Sequence, residues 1–111
     1  IHGLLKKDRI KLIKEAKKSE EAGVFSIVVE CVTSLAAKEI TSALKIPTIG
    51  IGASINCDGQ ILVTDDMIGL SGFYPRFVNR FAKLYNIIEI SVQKYNKAVL
   101  NKKFPSKKNC F

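Results

Sequence analysis

At 111 residues, 47% hydrophobic and 25% charged, the chain has the composition of one ordinary globular domain, not of a disordered, collagen-like or membrane protein. No apolar run approaches the roughly 20 residues that a membrane span needs, and the first residues lead into Lys-rich amphipathic sequence, so neither a membrane span nor a signal peptide is expected. The net charge of +8 sits on the flanks: residues 1–18 carry seven Lys or Arg against two acids and residues 76–111 nine against one, while residues 19–75 hold only Lys38 and Lys45 against seven acids. The basic flanks read as solvated helix faces and a tail, and no nucleic-acid partner is expected.

In chain order, Asp8 is placed to cap a helix over about 9–22, with Gly23 as its stop. Val24–Cys31 is almost continuously apolar, the pattern of a parallel strand covered on both faces. Thr33 or Ser34 caps a second helix running to about Leu44, with Ala36, Ala37, Ile40, Ala43 and Leu44 as its packing stripe. Thr48–Gly52 and Ile61–Thr64 read as two further short strands. Pro75 opens a helix carrying Phe77, Phe81 and Leu84, and after a break near Asn86 another follows with Ile88, Val92, Tyr95 and Val99. A Lys-rich tail, 101–111, closes the chain. Strand–helix alternation predicts α/β architecture with a parallel sheet. The link Ala53–Gln60 is short for a parallel crossover, and Asp58-Gly59 is equally compatible with a hairpin.

Three groups of residues bear on chemistry. Glu30 ends the apolar run IVVECV, where an unpaired buried carboxylate is expensive, so it has either a basic or backbone partner or a task as a general base. Gly50 and Gly52, in IPTIGIGA, mark close approach of either a ligand or another part of the chain. Asp58, Asp65 and Asp66 lie near the ends of the third strand, as candidate Mg²⁺ ligands or as turn formers and caps. His2, the sole histidine, is given no role, so no Ser/His/Asp or Cys/His set can be assembled. Cys31, Cys57 and Cys110 have no Cys-x-x-Cys spacing, which argues against a zinc site or a disulfide framework and for a reducing, cytoplasmic setting.

IVVECV, AAKEIT (36–41), IPTIGIGA (46–53), CDGQILV (57–63) and DDMIGL (65–70) occur in the order and spacing of the ketopantoate hydroxymethyltransferases, and the chain resembles that family over nearly its whole length. The resemblance implies a (β/α)8 barrel, of which residues 1–111 would be a C-terminal segment with about the last three strand–helix units. It implies transfer of a one-carbon unit from 5,10-methylenetetrahydrofolate to 3-methyl-2-oxobutanoate, giving 2-dehydropantoate for pantothenate and coenzyme A synthesis, and a homo-oligomer. It further implies Mg²⁺ on the oxo acid, held by residues upstream of Ile1, so that Asp58, Asp65 and Asp66 are not taken as ligands and no metal ligand is assigned here. The family's base matches Glu30; Gly50 and Gly52 are the expected substrate-binding positions. Departures are Thr33 for the family's usual Pro, Ser54 for Gly, Asp65 for His or Gln, and Lys107-Lys108 for an acidic pair. Starting at Ile1 rather than Met, the chain is expected to be processed or part of something longer. A non-catalytic half-barrel that lacks the metal site, or a small basic nucleic-acid-binding module, are the alternative expectations.

Overall fold

The computed structural model describes residues 1–72 and 74–111. The chain forms two compact units, one of Ile1–Val63 with Pro75–Val78, the other of Thr64–Tyr74 with Asn79–Phe111.

The first unit is α/β. Helix α1 spans Lys6–Glu21, β1 Ile27–Val29, α2 Ser34–Ala43, β2 Thr48–Gly50 and β3 Gly59–Gln60. The sheet order is β1-β2-β3 with both pairings parallel. The link before β3 is therefore a crossover and not a hairpin.

Helix α1 starts earlier than expected. Asp8 lies in its first turn, where its charge favours the helix dipole, while the cap position is Leu5 without a side-chain hydrogen bond. The Lys-rich residues before Asp8 are good helix formers and extend the helix upstream. Its end is as anticipated: Gly23 takes φ +94°, its N–H donates to the Glu20 carbonyl at 2.9 Å, and Val24 N–H reaches back to Ser19 at 3.4 Å. This pair of bonds satisfies carbonyls that the last turn leaves open. Thr33 caps α2 as expected, its Oγ1 accepting from Ala36 N–H at 3.2 Å.

The two helices lie side by side, joined by the Arg9 Nε–Glu39 Oε2 ion pair at 3.0 Å. With one face of the sheet they enclose a small core of Ala16, Val29, Ala37, Ile40, Ala53 and Cys57. Strand alternation then decides what is covered. Val29 points into this core, whereas Val28 is 56% exposed and Glu30 is also exposed. The expectation of a strand buried on both faces is thus wrong for this chain, because helices cover only one face of the sheet. The free edge of β1 borders an open cleft of about 260 Å³, between Leu12 and Ala16 of α1 and Val28–Glu30.

β3 comes two residues earlier than the expected Ile61–Thr64, and Asp58 is the reason. Its Oδ2 accepts the backbone N–H of Thr48 at 2.8 Å and lies 3.3 Å from the Thr48 hydroxyl, so the chain is pinned to β2 just before Gly59. Pairing continues past β3 through Ile61 N–H to the Gly50 carbonyl at 3.0 Å. The short crossover closes on Ser54 instead of on a helix. Its Oγ accepts from Asn56 N–H and Asn56 Nδ2, and its carbonyl accepts from Cys57 N–H and Gln60 Nε2. Thr48 is fully buried. Replacing Asp58 by Ala strands its N–H in the interior, and we expect a loss of about 1–3 kcal/mol in chemical unfolding. Asp58→Asn, which keeps an acceptor oxygen, should lose less.

The second unit holds the short helix α3, Thr64–Met67, and the long helix α4, Leu84–Leu100. The helix expected from Pro75 does not form. The N–H groups of Phe81, Leu84 and Tyr85 donate instead to the carbonyls of Met67, Ile68 and Gly69, at 2.8, 3.0 and 3.1 Å. The four- and three-residue spacing of Phe77, Phe81 and Leu84 thus does not mark a helix from Pro75, and Arg80 stacks over the Tyr74 ring at 3.9 Å. Nor is there a break near Asn86: α4 runs through it as a single helix. Residues 101–111 form no helix or strand. No helix among the described residues is long and apolar enough to cross a membrane.

Candidate active site

Parallel pairing brings the C-terminal ends of β1, β2 and β3 to one edge of the sheet. Glu30 is the residue after β1 at that edge, two on from Val28 and so on the same uncovered face. Across the strand pair, Ile51 N–H donates to the Val29 carbonyl at 3.0 Å, which sets Glu30 beside the Gly50–Gly52 segment. The edge thus brings together the residues expected to be catalytic and substrate-binding.

Two readings of Glu30 were open, a structural partner or a chemical task. Among the described residues its carboxylate has neither a hydrogen bond nor an ion pair. It is exposed instead of buried, so water solvates it in this chain and no partner is needed to offset desolvation. A carboxylate that holds nothing in place is free to accept a proton from a bound molecule.

The glycines have a different explanation. A Cβ on Gly50 would lie 2.8 Å from Gln60 Nε2 and 3.1 Å from Cys57 Sγ. Gly52 has φ +58°, and a Cβ there would lie 2.8 Å from the Phe77 Cβ and 3.0 Å from the Phe77 carbonyl oxygen. Protein atoms occupy the space beside each, so any contact with a ligand falls to the main chain.

Asp58 is committed to Thr48, and Asp65 and Asp66 lie in the first turn of α3, where acids favour a helix start. Among the described residues no group of three or more His, Cys, Asp and Glu can hold a metal ion. These residues therefore do not fit a Mg²⁺ site. A larger cavity, about 750 Å³, beside the start of α2, is lined by Ser34, Gly52, Ala53, Ser54, Ile55 and Gln60. None of these side chains is ionisable, so that cavity supplies no acid or base.

Sequence reasoning missed His2, Gly3 and Cys31. The backbone of His2 pairs with the loop after Glu30, its N–H donating to the Cys31 carbonyl at 2.7 Å and its carbonyl accepting from Thr33 N–H at 2.9 Å. Only Gly3 carried a signal, since a glycine before a helix invites a search for positive φ, and it has φ +79°.

A parallel sheet with helices on one face and a free carboxylate where its strands end is the arrangement of α/β enzymes that work at the carboxyl ends of their strands. The comparison with known families agrees, and is more specific. The chain belongs to the ketopantoate hydroxymethyltransferase family, whose model matches residues 1–107. It is 52% identical over 100 residues to the 3-methyl-2-oxobutanoate hydroxymethyltransferase of Pelagibacter ubique, an alignment covering 90% of this chain and 39% of that protein. The enzymes of the same name from Bdellovibrio bacteriovorus and Clostridium novyi are 45% and 52% identical over 112 and 102 residues. These alignments cover 100% and 91% of this chain and 43% and 37% of those proteins. The chain thus spans about two fifths of the length of the curated relatives it matches.

Proposed function

We propose that the chain serves hydroxymethyl transfer to 3-methyl-2-oxobutanoate, with Glu30 as the base. The observation that carries this reading is the unpartnered Glu30 carboxylate at the carboxyl end of β1, in a chain whose relatives are named for that reaction. The uncovered face bearing Val28, Glu30 and Ile61 is then the inner face of a (β/α)8 barrel, of which β1 to β3 form one arc, and the free edge of β1 is where a further strand pairs.

Glu30 takes the proton from C3 of the oxo acid, the carbon next to the carbonyl, and the electron pair moves into the enolate. Water releases the one-carbon unit of methylenetetrahydrofolate at the formaldehyde level: both C–N bonds break and the two protons of water go to the folate nitrogens, leaving tetrahydrofolate. C3 then attacks that carbon, a carbon–carbon bond forms as the C=O π bond opens, and the proton held by Glu30 passes to the new alkoxide, giving 2-dehydropantoate and restoring the carboxylate. The main chain of Gly50–Gly52 forms the wall next to Glu30 on which the oxo acid rests, and Val28 and Ile61 supply apolar surface for its methyl groups. The complete gene product, given the oxo acid and methylenetetrahydrofolate, should form 2-dehydropantoate in step with tetrahydrofolate. Absence of both products from the folded protein would refute the assignment.

A further inference from the structure

The residue that follows Glu30 adopts a backbone conformation that its own side chain disfavours. Cys31 has φ +55°. A non-glycine residue enters that left-handed region at an energetic cost, because its Cβ crowds the following carbonyl oxygen. Among the described residues only Lys102 shares this feature, and Lys102 lies just past Asn101, the cap of α4, where left-handed residues commonly end helices. Cys31 ends no helix. Its thiol is exposed and makes no hydrogen bond, so the side chain does not offset the strain.

The conformation is imposed through the main chain. Cys31 O accepts from His2 N–H at 2.7 Å, and the His2 carbonyl accepts from Thr33 N–H at 2.9 Å, so His2 forms a one-rung parallel bridge across the kink. Thr33 Oγ1 donates to the Gly3 carbonyl at 3.1 Å while it caps α2. Gly3 fits only as glycine: a Cβ there would lie 2.6 Å from the Ala36 Cβ. On the other side Ser34 Oγ is bonded to Ser54 Oγ at 3.2 Å. The loop between Glu30 and α2 is thus tied both to the His2–Gly3 strap and to the crossover loop.

We propose that Cys31 is a positioning residue, whose left-handed backbone, enforced by the His2–Gly3 strap, aims the Glu30 carboxylate. The inference rests on the reading of Glu30 as base. Because no hydrogen bond orients the Glu30 side chain, the direction of its Cα–Cβ bond is what the chain can control, and that direction is set by how the backbone leaves β1. Strain held in place by its surroundings next to a reacting group is a recognised form of preorganisation.

The test compares Cys31→Asn, which tolerates the left-handed region, with Cys31→Val, whose β-branch opposes it. In the complete gene product, Cys31→Asn should keep kcat within about twofold, whereas Cys31→Val should lower it by about 10- to 100-fold with KM nearly unchanged, the effect of a misplaced group. Combined with Glu30→Gln, Cys31→Val should add no further loss, because the aim of a missing base is immaterial. Equal damage from Asn and Val would assign the effect to the thiol, and an undiminished Val effect in the Glu30→Gln background would assign it to general structure; either overturns the proposal. If Cys31→Val does not fold, Cys31→Ala, with a smaller steric penalty, takes its place. Residual dipolar couplings of the Glu30 Cα–Cβ bond measured by NMR read the aim without turnover, and so separate this inference from the assignment of function. They should agree between the unmodified chain and Cys31→Asn and differ in Cys31→Val. Agreement across all three overturns the proposal even if transfer is observed.

Discussion

Glu30→Gln should abolish hydroxymethyl transfer while leaving the fold intact. Gln has the same length and shape and cannot take a proton. Because the Glu30 carboxylate has no partner among the described residues, its replacement breaks no hydrogen bond and no ion pair. The unfolding midpoint of residues 1–111 should therefore move little, as for other exposed substitutions. Loss of a positioned general base costs about 10²–10⁴ in rate, so kcat should fall by that factor with KM far less affected. The combination of a large kinetic effect with a negligible stability effect is the signature of a residue kept for chemistry. A variant that unfolds early but turns over normally when folded would assign Glu30 a structural role.

A large stability effect in the first unit should come from Gly52. Two terms add there: a left-handed backbone, and a Cβ site 2.8 Å from the Phe77 Cβ and 3.0 Å from its carbonyl oxygen. Backbone strain of about 1–3 kcal/mol joins an overpacking term of about 1–3 kcal/mol, so Gly52→Ala should cost about 2–6 kcal/mol in equilibrium unfolding. Gly23→Ala supplies the control. Gly23 has φ +94° but nothing within 4 Å of its Cβ site, so only the backbone term applies. Equal losses at the two positions would show that Phe77 does not hem in Gly52. Gly52→Ala should also raise KM for the oxo acid, since the wall beside Glu30 is shifted.

Much of the first unit was legible in the sequence, because its signals are local. Gly23 terminates α1, Thr33 caps α2, and Ala36, Ala37 and Ile40 form the buried stripe where the pattern placed them. What failed depended on contacts distant in sequence. The register of β3 is set by Asp58 reaching back to Thr48, a bond no local pattern shows. In the second unit the Phe77–Phe81–Leu84 spacing imitated a helix, yet the N–H groups of Phe81 and Leu84 are claimed by carbonyls of Met67 and Ile68. The IVVECV strand follows the same rule: continuous apolar sequence reports two faces to be covered, and among the described residues helices cover only one.

The candidate site divides the same way. Glu30 stood out as a charge at the end of an apolar run, and Gly50 and Gly52 as glycines at a strand end. Cys31 gave no signal, since nothing about a cysteine announces a positive φ and the strap that enforces it lies some thirty residues earlier, at His2 and Gly3.

The most direct test of Glu30 as base needs no folate. The complete gene product, incubated with 3-methyl-2-oxobutanoate in heavy water, should exchange the C3 proton for deuterium, and Glu30→Gln should slow that exchange by about 10²–10⁴. Exchange at equal rates in the two proteins would contradict the account, because the proton would then leave without Glu30.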